Sequence, residues 1–458
     1  RRRLVYQEFL YFILHSRILE AGTTGIENPW HFTETALTDE TIQKLPYTLT
    51  KGQMDTLSQI RSDLQGPYVS QRLIQGDVGS GKTIVAFLAM LDVVASGYQA
   101  AIMAPTEVLA MQHAAGLREM CADYGLPYQV VCLTSSMTAS KKKKAYEIIA
   151  TRPQIFVVGT HALIQEKVDY LNLALVVTDE QHRFGVKQRE SLSKKGMTPH
   201  MLVMSATPIP RTLAMILYGN MQISAIHELP ADRIPIKTCV IKEDLRQKAY
   251  EMIGRELAGG HQAYIICPLV EASEQTEAEN VTDYVERIRP IFGAQVSIAA
   301  LHGKMPPKEK NAIMQAFAEG KTQILVSTTV VEVGVNVPNA TLIMIEDANR
   351  FGLAQLHQLR GRVGRGKWQS YCILMDKSKE KKMTDRLEVM HKSNDGFFIA
   401  QEDLRLRGPG DFFGIRQSGE LGFQLADIIG DADLLQKASQ DVADFLKEDE
   451  SLENYPAI

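Results

Sequence analysis

From about Pro46 onward, short runs of β-branched and other apolar residues alternate with stretches whose apolar positions recur every three or four residues. The runs at 72–74, 100–103, 155–158, 173–177 and 201–204 are each bounded by polar or turn-forming residues. Strands alternating with helical patterns predict a mostly parallel sheet with helices on both faces. The theme restarts after Pro235, with runs at 237–241, 263–267, 296–299, 323–326, 341–345 and 370–374. Between the two series, 227–235 holds two prolines and no periodicity, which reads as a boundary. Ahead of both, Leu4, Val5, Phe9, Phe12, Ile13 and Leu14 have the spacing of an amphipathic helix over 1–20. A loop over 22–29 follows, by its glycine, threonine, asparagine and proline content. After about Asp376 the strand theme stops, 377–400 is charged and helical, and 405–422 is rich in glycine. The expectation is an α/β chain in four parts: a connector helix and loop (1–45), a first lobe (46–230), a second lobe (231–376) and a C-terminal helical region (377–458).

Composition narrows the function classes. A chain of 458 residues exceeds one ordinary core. The formal net charge of −4 means that a nucleic-acid partner has to be argued from local basic clusters, because phosphate contacts act at close range under salt screening. No stretch is apolar for long enough to span a bilayer; the nearest, 83–105, is broken by Asp92, Ser96 and Gly97, so no membrane partner is expected. The N-terminus is charged but has no uninterrupted apolar segment, which argues against a signal peptide. Five scattered cysteines without a CxxC pair argue against zinc and against a disulfide framework, and fit a reducing cytoplasm.

The strongest chemical signal is Gly76-Asp77-Val78-Gly79-Ser80-Gly81-Lys82-Thr83, which fits the G-x-x-x-x-G-K-[ST] phosphate loop. The glycines let successive backbone N–H groups turn inward onto phosphate oxygens. Lys82 would reach the β- and γ-phosphates and Thr83 would ligate Mg²⁺. A predicted strand before the loop and a predicted helix after it, whose N-terminus favours anions, supply the right context. A second element, Asp179-Glu180-Gln181-His182, directly follows an apolar run, so its carboxylates would lie where open α/β sheets bind ligands. Asp179 would hold Mg²⁺ and Glu180 would orient and deprotonate the attacking water; read without the upstream phosphate loop, the pair is an ordinary solvated loop. Third, Arg362 and Arg365 would face the same way if their segment is helical, and could serve as arginine fingers from the second lobe. Taken alone they are a solvated basic helix end.

The order of these motifs resembles superfamily 2 helicases, and their details resemble the RecG family over nearly the whole chain. Gln53 is similar to the upstream glutamine that reads adenine. The segments 104–110 and 159–161 look like motifs Ia and Ib, 179–182 is the DEQH form of motif II, and 205–213 resembles motif III with its RecG-type extension. The segment 301–305 matches the second-lobe LHG element, 327–335 looks like motif V and 355–366 like motif VI. Asn336 departs from the aspartate usual after motif V.

The resemblance implies two tandem RecA-like P-loop NTPase domains, each a parallel sheet flanked by helices, plus a C-terminal helical hairpin and loop. It implies an ATP- and Mg²⁺-dependent DNA helicase or translocase that moves on duplex DNA and remodels stalled forks and Holliday junctions. The ATP site would comprise Gln53, residues 76–83, Gln181, His182 and Gly334. Sequence-independent DNA contacts fall to Thr106, Thr160, His161, His302, Lys304 and Thr328, although an N-cap or satisfied turn is as good a reading of each. The segment 401–419 resembles the "translocation in RecG" motif, with Arg405 and Arg407 beside the Gly408-Pro409-Gly410 loop. Branched and duplex DNA are the implied partners, a single-stranded-DNA-binding protein is a further one, and the expected place is the bacterial cytoplasm at the nucleoid. The 1–20 helix looks like the connector to a strand-splitting wedge domain, without which the fragment is expected to hydrolyse ATP but regress forks poorly. Two other readings remain at this stage: a transcription-repair coupling translocase, which shares the C-terminal motif, and a non-hydrolysing nucleic-acid scaffold of the same fold.

Overall fold

A computed structural model describes residues 1–21, 26–33, 35–179, 198–206, 221–230, 233–268, 274–328, 337–378, 385–407, 425–426 and 430–448. The first sheet has seven strands: β1 (Gln71–Gly76), β2 (Gln99–Met103), β3 (Gln129–Leu133), β4 (Ile155–Gly159), β5 (Leu173–Asp179), β6 (His200–Ser205) and β7 (Gln222–Ile226). Their order is β3-β4-β2-β5-β6-β1-β7, and every pairing is parallel. The second sheet has six: β8 (Lys237–Ile241), β9 (Gln262–Ile266), β10 (Ile298–Leu301), β11 (Ile324–Ser327), β12 (Ala340–Ile345) and β13 (Tyr371–Met375), in the order β10-β11-β9-β12-β13-β8, again all parallel.

Parallel sheets covered on both faces select near-continuous apolar strands, which is why the central runs were legible. β2, β4, β6, β9 and β12 are buried at every position. Two strands at the edges of the first sheet were not predicted. β3 (QVVCL) lies at one edge of the first sheet and β7 (QISAI) at the other, and each is fully buried at only two of five positions.

Helices cover both sheets. In chain order they are α1 (Arg2–Ala21), α2 (Ala36–Lys44), α3 (Lys51–Leu64), α4 (Lys82–Ala95), α5 (Glu107–Asp123), α6 (Ala139–Thr151), α7 (Arg246–Ala258), α8 (Glu274–Phe292), α9 (Pro307–Ala318), α10 (Leu353–Arg360), α11 (Asp385–Lys392), α12 (Gly396–Arg407) and α13 (Ala432–Glu448). α4 is apolar nearly all round and packs between the sheet and the N-terminal helices, as a helix without a solvent face must. The helical stretch expected over 377–400 is two helices among the described residues. Asp395 Oδ1 accepts from the backbone N–H groups of Phe397 (2.8 Å) and Phe398 (3.3 Å), a side-chain cap that starts a new helix. α1, predicted from its apolar spacing, lays Val5 and Phe9 against Leu434, Leu435 and Ala438 of α13. An Arg1–Asp431 ion pair of 2.7 Å lies at the end of that contact.

Candidate nucleotide site between the lobes

The phosphate loop leaves the C-terminal end of β1 and runs into α4. Gly79 and Gly81 take φ values of 80° and 83°, a left-handed backbone that side chains disfavour. A Cβ on Gly76 would collide with the Ser80 hydroxyl, and one on Gly81 with the Gln53 amide. Ser80 Oγ is buried with no partner among the described residues, and an orphaned hydroxyl inside a glycine cradle fits an anion bound there. Lys82 Nζ donates to the carbonyls of Gly76 and Asp77, each at 2.8 Å. Thr83 follows in the first turn of α4.

Gln53, which the family resemblance assigned to the adenine, lies beside the phosphate loop, and its amide is held. Thr50 and Gln53 form a reciprocal capping box at the start of α3, with Thr50 N–H donating to Gln53 Oε1 at 2.8 Å. Gln53 Nε2 donates to Ser80 O at 2.8 Å, tying α3 to the phosphate loop. Asp179 ends β5, with only β6 between β5 and β1, so it lies at the same edge as the loop. Its Oδ2 is 2.9 Å from His113 Nε2 on α5. His113 was not foreseen; on an amphipathic helix a single histidine carries no signal of its own.

The second lobe meets this loop directly. α10 ends at Arg360, so Arg362 and Arg365 lie past the helix and not on it as supposed. Gly361 caps the helix, Arg362 N–H and Val363 N–H close tight turns onto Leu359 and Arg360, and Gly364 takes φ 73°. The turn keeps the two arginines together by other means. Arg362 is buried, and Arg365 Nε donates to Gly361 O at 2.9 Å. Burial pushes Tyr264 of β9 up to about 12, and the charges of Arg365 and Arg362 oppose that push, so both guanidiniums lie near its ring. A Cβ on Gly361 would stand 2.8–2.9 Å from three side-chain atoms of Val78, which marks how closely this turn approaches the phosphate loop.

Three further groups reach the loop without having been read from the sequence. His357 Nε2 is 2.5 Å from Asp77 Oδ1, Gly396 N–H donates to Asp77 Oδ2 at 3.2 Å, and Arg233, from the inter-lobe segment, donates to Val78 O. Burial alone would raise the Asp77 carboxyl; the His357 hydrogen bond and charge, the Arg233 charge and the Val78 N–H together leave it below the usual range. Arg233 was hidden because one arginine in an aperiodic, proline-flanked segment reads as solvated.

The candidate DNA residues occupy the other half of the same sheet edges. Thr106 follows β2 and accepts from Leu109 N–H at 3.4 Å as the N-cap of α5, so the plainer reading of that residue holds for the free chain. Thr160 is buried and His161 exposed just past β4, the neighbour of β2. In the second lobe His302 and an exposed Lys304 follow β10, and buried Thr328 follows the adjacent β11. Arg405 is exposed on α12 and pairs with Glu402 at 2.8 Å, while Arg407 is the last residue of that helix. Glu180, Gln181, His182, Gly334, Asn336, the motif III extension and the 408–410 loop lie outside the described residues.

Comparison with known proteins agrees with this arrangement. Residues 50–216 match the DEAD/DEAH box helicase family, residues 244–367 the helicase conserved C-terminal domain, and residues 393–457 the C-terminal part of domain 3 of ATP-dependent DNA helicase RecG. The chain is 47% identical over 453 residues to the ATP-dependent DNA helicase RecG of Bacillus subtilis, covering 98% of this chain and 66% of that protein. It is 44% identical to the RecG of Streptococcus pneumoniae, covering 99% of this chain and 67% of that one. A solved RecG bound to a three-way DNA junction superposes with a TM-score of 0.78 at 39% identity, over 95% of this chain and 56% of that one. The helicase MrfA bound to DNA, at 20% identity and a TM-score of 0.57, shares the fold alone. The chain thus spans between 55% and 67% of the length of the first four curated relatives. With a phosphate loop on one parallel sheet, paired arginines on the next and these likenesses along its whole length, the chain belongs to the RecG family of ATP-dependent DNA helicases.

Proposed function

We propose that this chain is the ATP-driven motor of a DNA translocase that moves on duplex DNA and remodels stalled forks and Holliday junctions. The observation that carries the reading is the approach of the motif VI turn to the phosphate loop at Gly361 and Val78, which supports a nucleotide site shared by two lobes. The RecG neighbour bound to a three-way junction supports branched DNA as the partner.

In this reading Gln53 reads the adenine, the 76–83 loop cradles the phosphates and Lys82 neutralises them. Glu180 orients the attacking water and takes its proton, with Gln181, His182 and Gly334 completing the pocket. Arg362 and Arg365 stabilise charge on the transferring phosphoryl group from the opposite lobe. Thr83 and Asp179 offer a hydroxyl and a carboxylate, the hard oxygen donors that suit Mg²⁺. When bound, Mg²⁺ supplies charge neutralisation to the phosphates. His113 fixes the orientation of the Asp179 carboxylate. ATP holds the lobes together, hydrolysis removes the contact made through the γ-phosphate, and the difference in binding energy drives a two-state motion. Thr106, Thr160, His161, His302, Lys304 and Thr328 grip backbone phosphates in turn, which positions DNA without reading its sequence. Arg405 and Arg407 couple lobe motion to the duplex.

The division at 46–230, 231–376 and 377–458, the bacterial cytoplasmic location and a single-stranded-DNA-binding protein as a partner belong to the same proposal. The test is steady-state ATP hydrolysis without DNA and with single-stranded, duplex and branched DNA. Duplex and branched DNA should stimulate turnover, and Lys82→Ala should abolish it while leaving thermal unfolding nearly unchanged. A chain that hydrolyses no ATP on any DNA refutes the motor and favours a scaffold.

A further inference from the structure

Asp77 occupies a position of the phosphate loop where the turn itself needs no particular side chain. Its backbone carbonyl already accepts from Ser80 N–H (3.0 Å) and from Lys82 Nζ (2.8 Å). The carboxylate is nevertheless buried, which costs free energy unless its oxygens are satisfied. They are satisfied chiefly from the far lobe. Oδ1 accepts from Val78 N–H at 2.6 Å and lies 2.5 Å from His357 Nε2, and Oδ2 accepts from Gly396 N–H at 3.2 Å.

The chain of contacts continues past the histidine. Arg360, fully buried, directs its NH2 at His357 Nδ1 at 3.1 Å. A guanidinium can only donate, so Nδ1 accepts and the ring carries its hydrogen on Nε2, aimed at Asp77. Arg360 NH1 donates in turn to the carbonyls of Met390 and Ser393, each at 2.8 Å, at the end of α11. Gly396 is the first residue of α12. One carboxylate of the phosphate loop is therefore joined to both helices of the C-terminal hairpin: directly to the start of α12, and through His357 and Arg360 to the end of α11. The join tolerates no bulk, since a Cβ on Gly396 would lie 2.7 Å from His357 Nε2 and 2.9 Å from Asp77 Cγ.

We propose that Asp77 is a positioning residue that links the state of the phosphate loop to the C-terminal hairpin, so that a change in loop shape on ATP turnover is carried to the hairpin through a path separate from the paired arginines. The inference rests on the motor reading above. In the lobe arrangement described, the link is closed; a loop conformation that withdraws the carboxylate breaks two hydrogen bonds at once and releases the hairpin, which gives the two-state element that coupling requires.

The test measures two quantities on the same chain: ATP consumed on duplex DNA, and base pairs travelled, followed by displacement of a third strand from a triplex. Their ratio is the readout, because a variant that is merely less folded loses both in proportion. His357→Leu should lower base pairs moved per ATP about tenfold, the loss expected when a hydrogen bond to a charged group is removed. His357→Gln, whose amide nitrogen can stand near the position of Nε2, should restore most of the ratio. In the Asp77→Asn/His357→Leu double variant the ratio should fall no further than in the worse single variant, since both remove one link. Gly396→Ala attacks the link from its other side and gives an independent measurement if His357→Leu does not fold. Unchanged ratios in the folded variants overturn the inference while leaving the motor intact; absence of ATP hydrolysis by the parent chain overturns the motor instead.

Discussion

Replacing Gly361 with alanine adds one methyl group at the narrowest approach between the lobes. The φ of Gly361 is −67°, ordinary helical backbone, so alanine introduces no local strain and the whole effect falls on the contact with Val78. The added carbon would stand 2.8 Å from Val78 Cβ and 2.9 Å from each Cγ, well inside normal van der Waals separation. Overpacking of this kind costs about 1–3 kcal/mol. Because the clash exists only when the lobes are together, that cost appears as a loss of the closed state by a factor of about 5 to 150. DNA-stimulated kcat/KM for ATP should fall by a similar factor, while thermal unfolding of the separate lobes barely moves. Val78→Gly removes all three clashing atoms, so the double variant should recover much of the loss, a size-for-size compensation that damage elsewhere could not produce. Wild-type kcat/KM for Gly361→Ala, or a double variant no better than the single one, would refute the claim that hydrolysis requires this approach.

Arg365→Ala should leave nucleotide binding largely intact, followed by fluorescence of a labelled ATP analogue, and lower turnover by on the order of 10³-fold, the scale of an arginine finger. Arg405→Ala should keep DNA-stimulated hydrolysis but stop movement in the triplex assay, because its exposed guanidinium pairs with Glu402 on its own helix and not with the phosphate loop. Normal translocation by that variant removes its coupling role. His200, at the start of β6, accepts from Ser70 N–H through Nδ1 at 3.1 Å and is held by burial at a pKa of about 4, against an ordinary 6.5. The unfolded chain therefore binds an extra proton between those values, so stability is complete above pH 6.5 and declines as pH falls towards 4. The decline from this one group reaches about 3 kcal/mol. His200→Gln, which can still accept from Ser70 and donate to Asn28, should flatten that part of a chemical-denaturation pH profile; an unchanged slope would show that His200 is not its source.

Much of this protein was written locally. A phosphate loop is contiguous, its glycines mark their own backbone geometry, and strands buried on both faces announce themselves as unbroken apolar runs. Asp179 was singled out from its place after an apolar run, whereas Gln53 came only from the resemblance to the helicase family. Of the two missed edge strands, β7 has its apolar run interrupted by Ser224, whereas β3 holds an unbroken run at 130–133 that the strand series left out.

What the tertiary structure alone decided is which distant segments share the loop. Arg233, His357 and Gly396 each carry an unremarkable local signal, and only the approach of their segments to the phosphate loop brings them to Asp77 and Val78, with Arg360 joined through His357. The same packing corrected the geometry of Arg362 and Arg365, which are held together by a turn beyond the helix and not by helical spacing. Periodicity along a chain encodes which face of an element is buried. It carries no information about which residues, 280 positions apart in the case of Asp77 and His357, will meet across a cleft, because that is set by how two separate cores fit against each other.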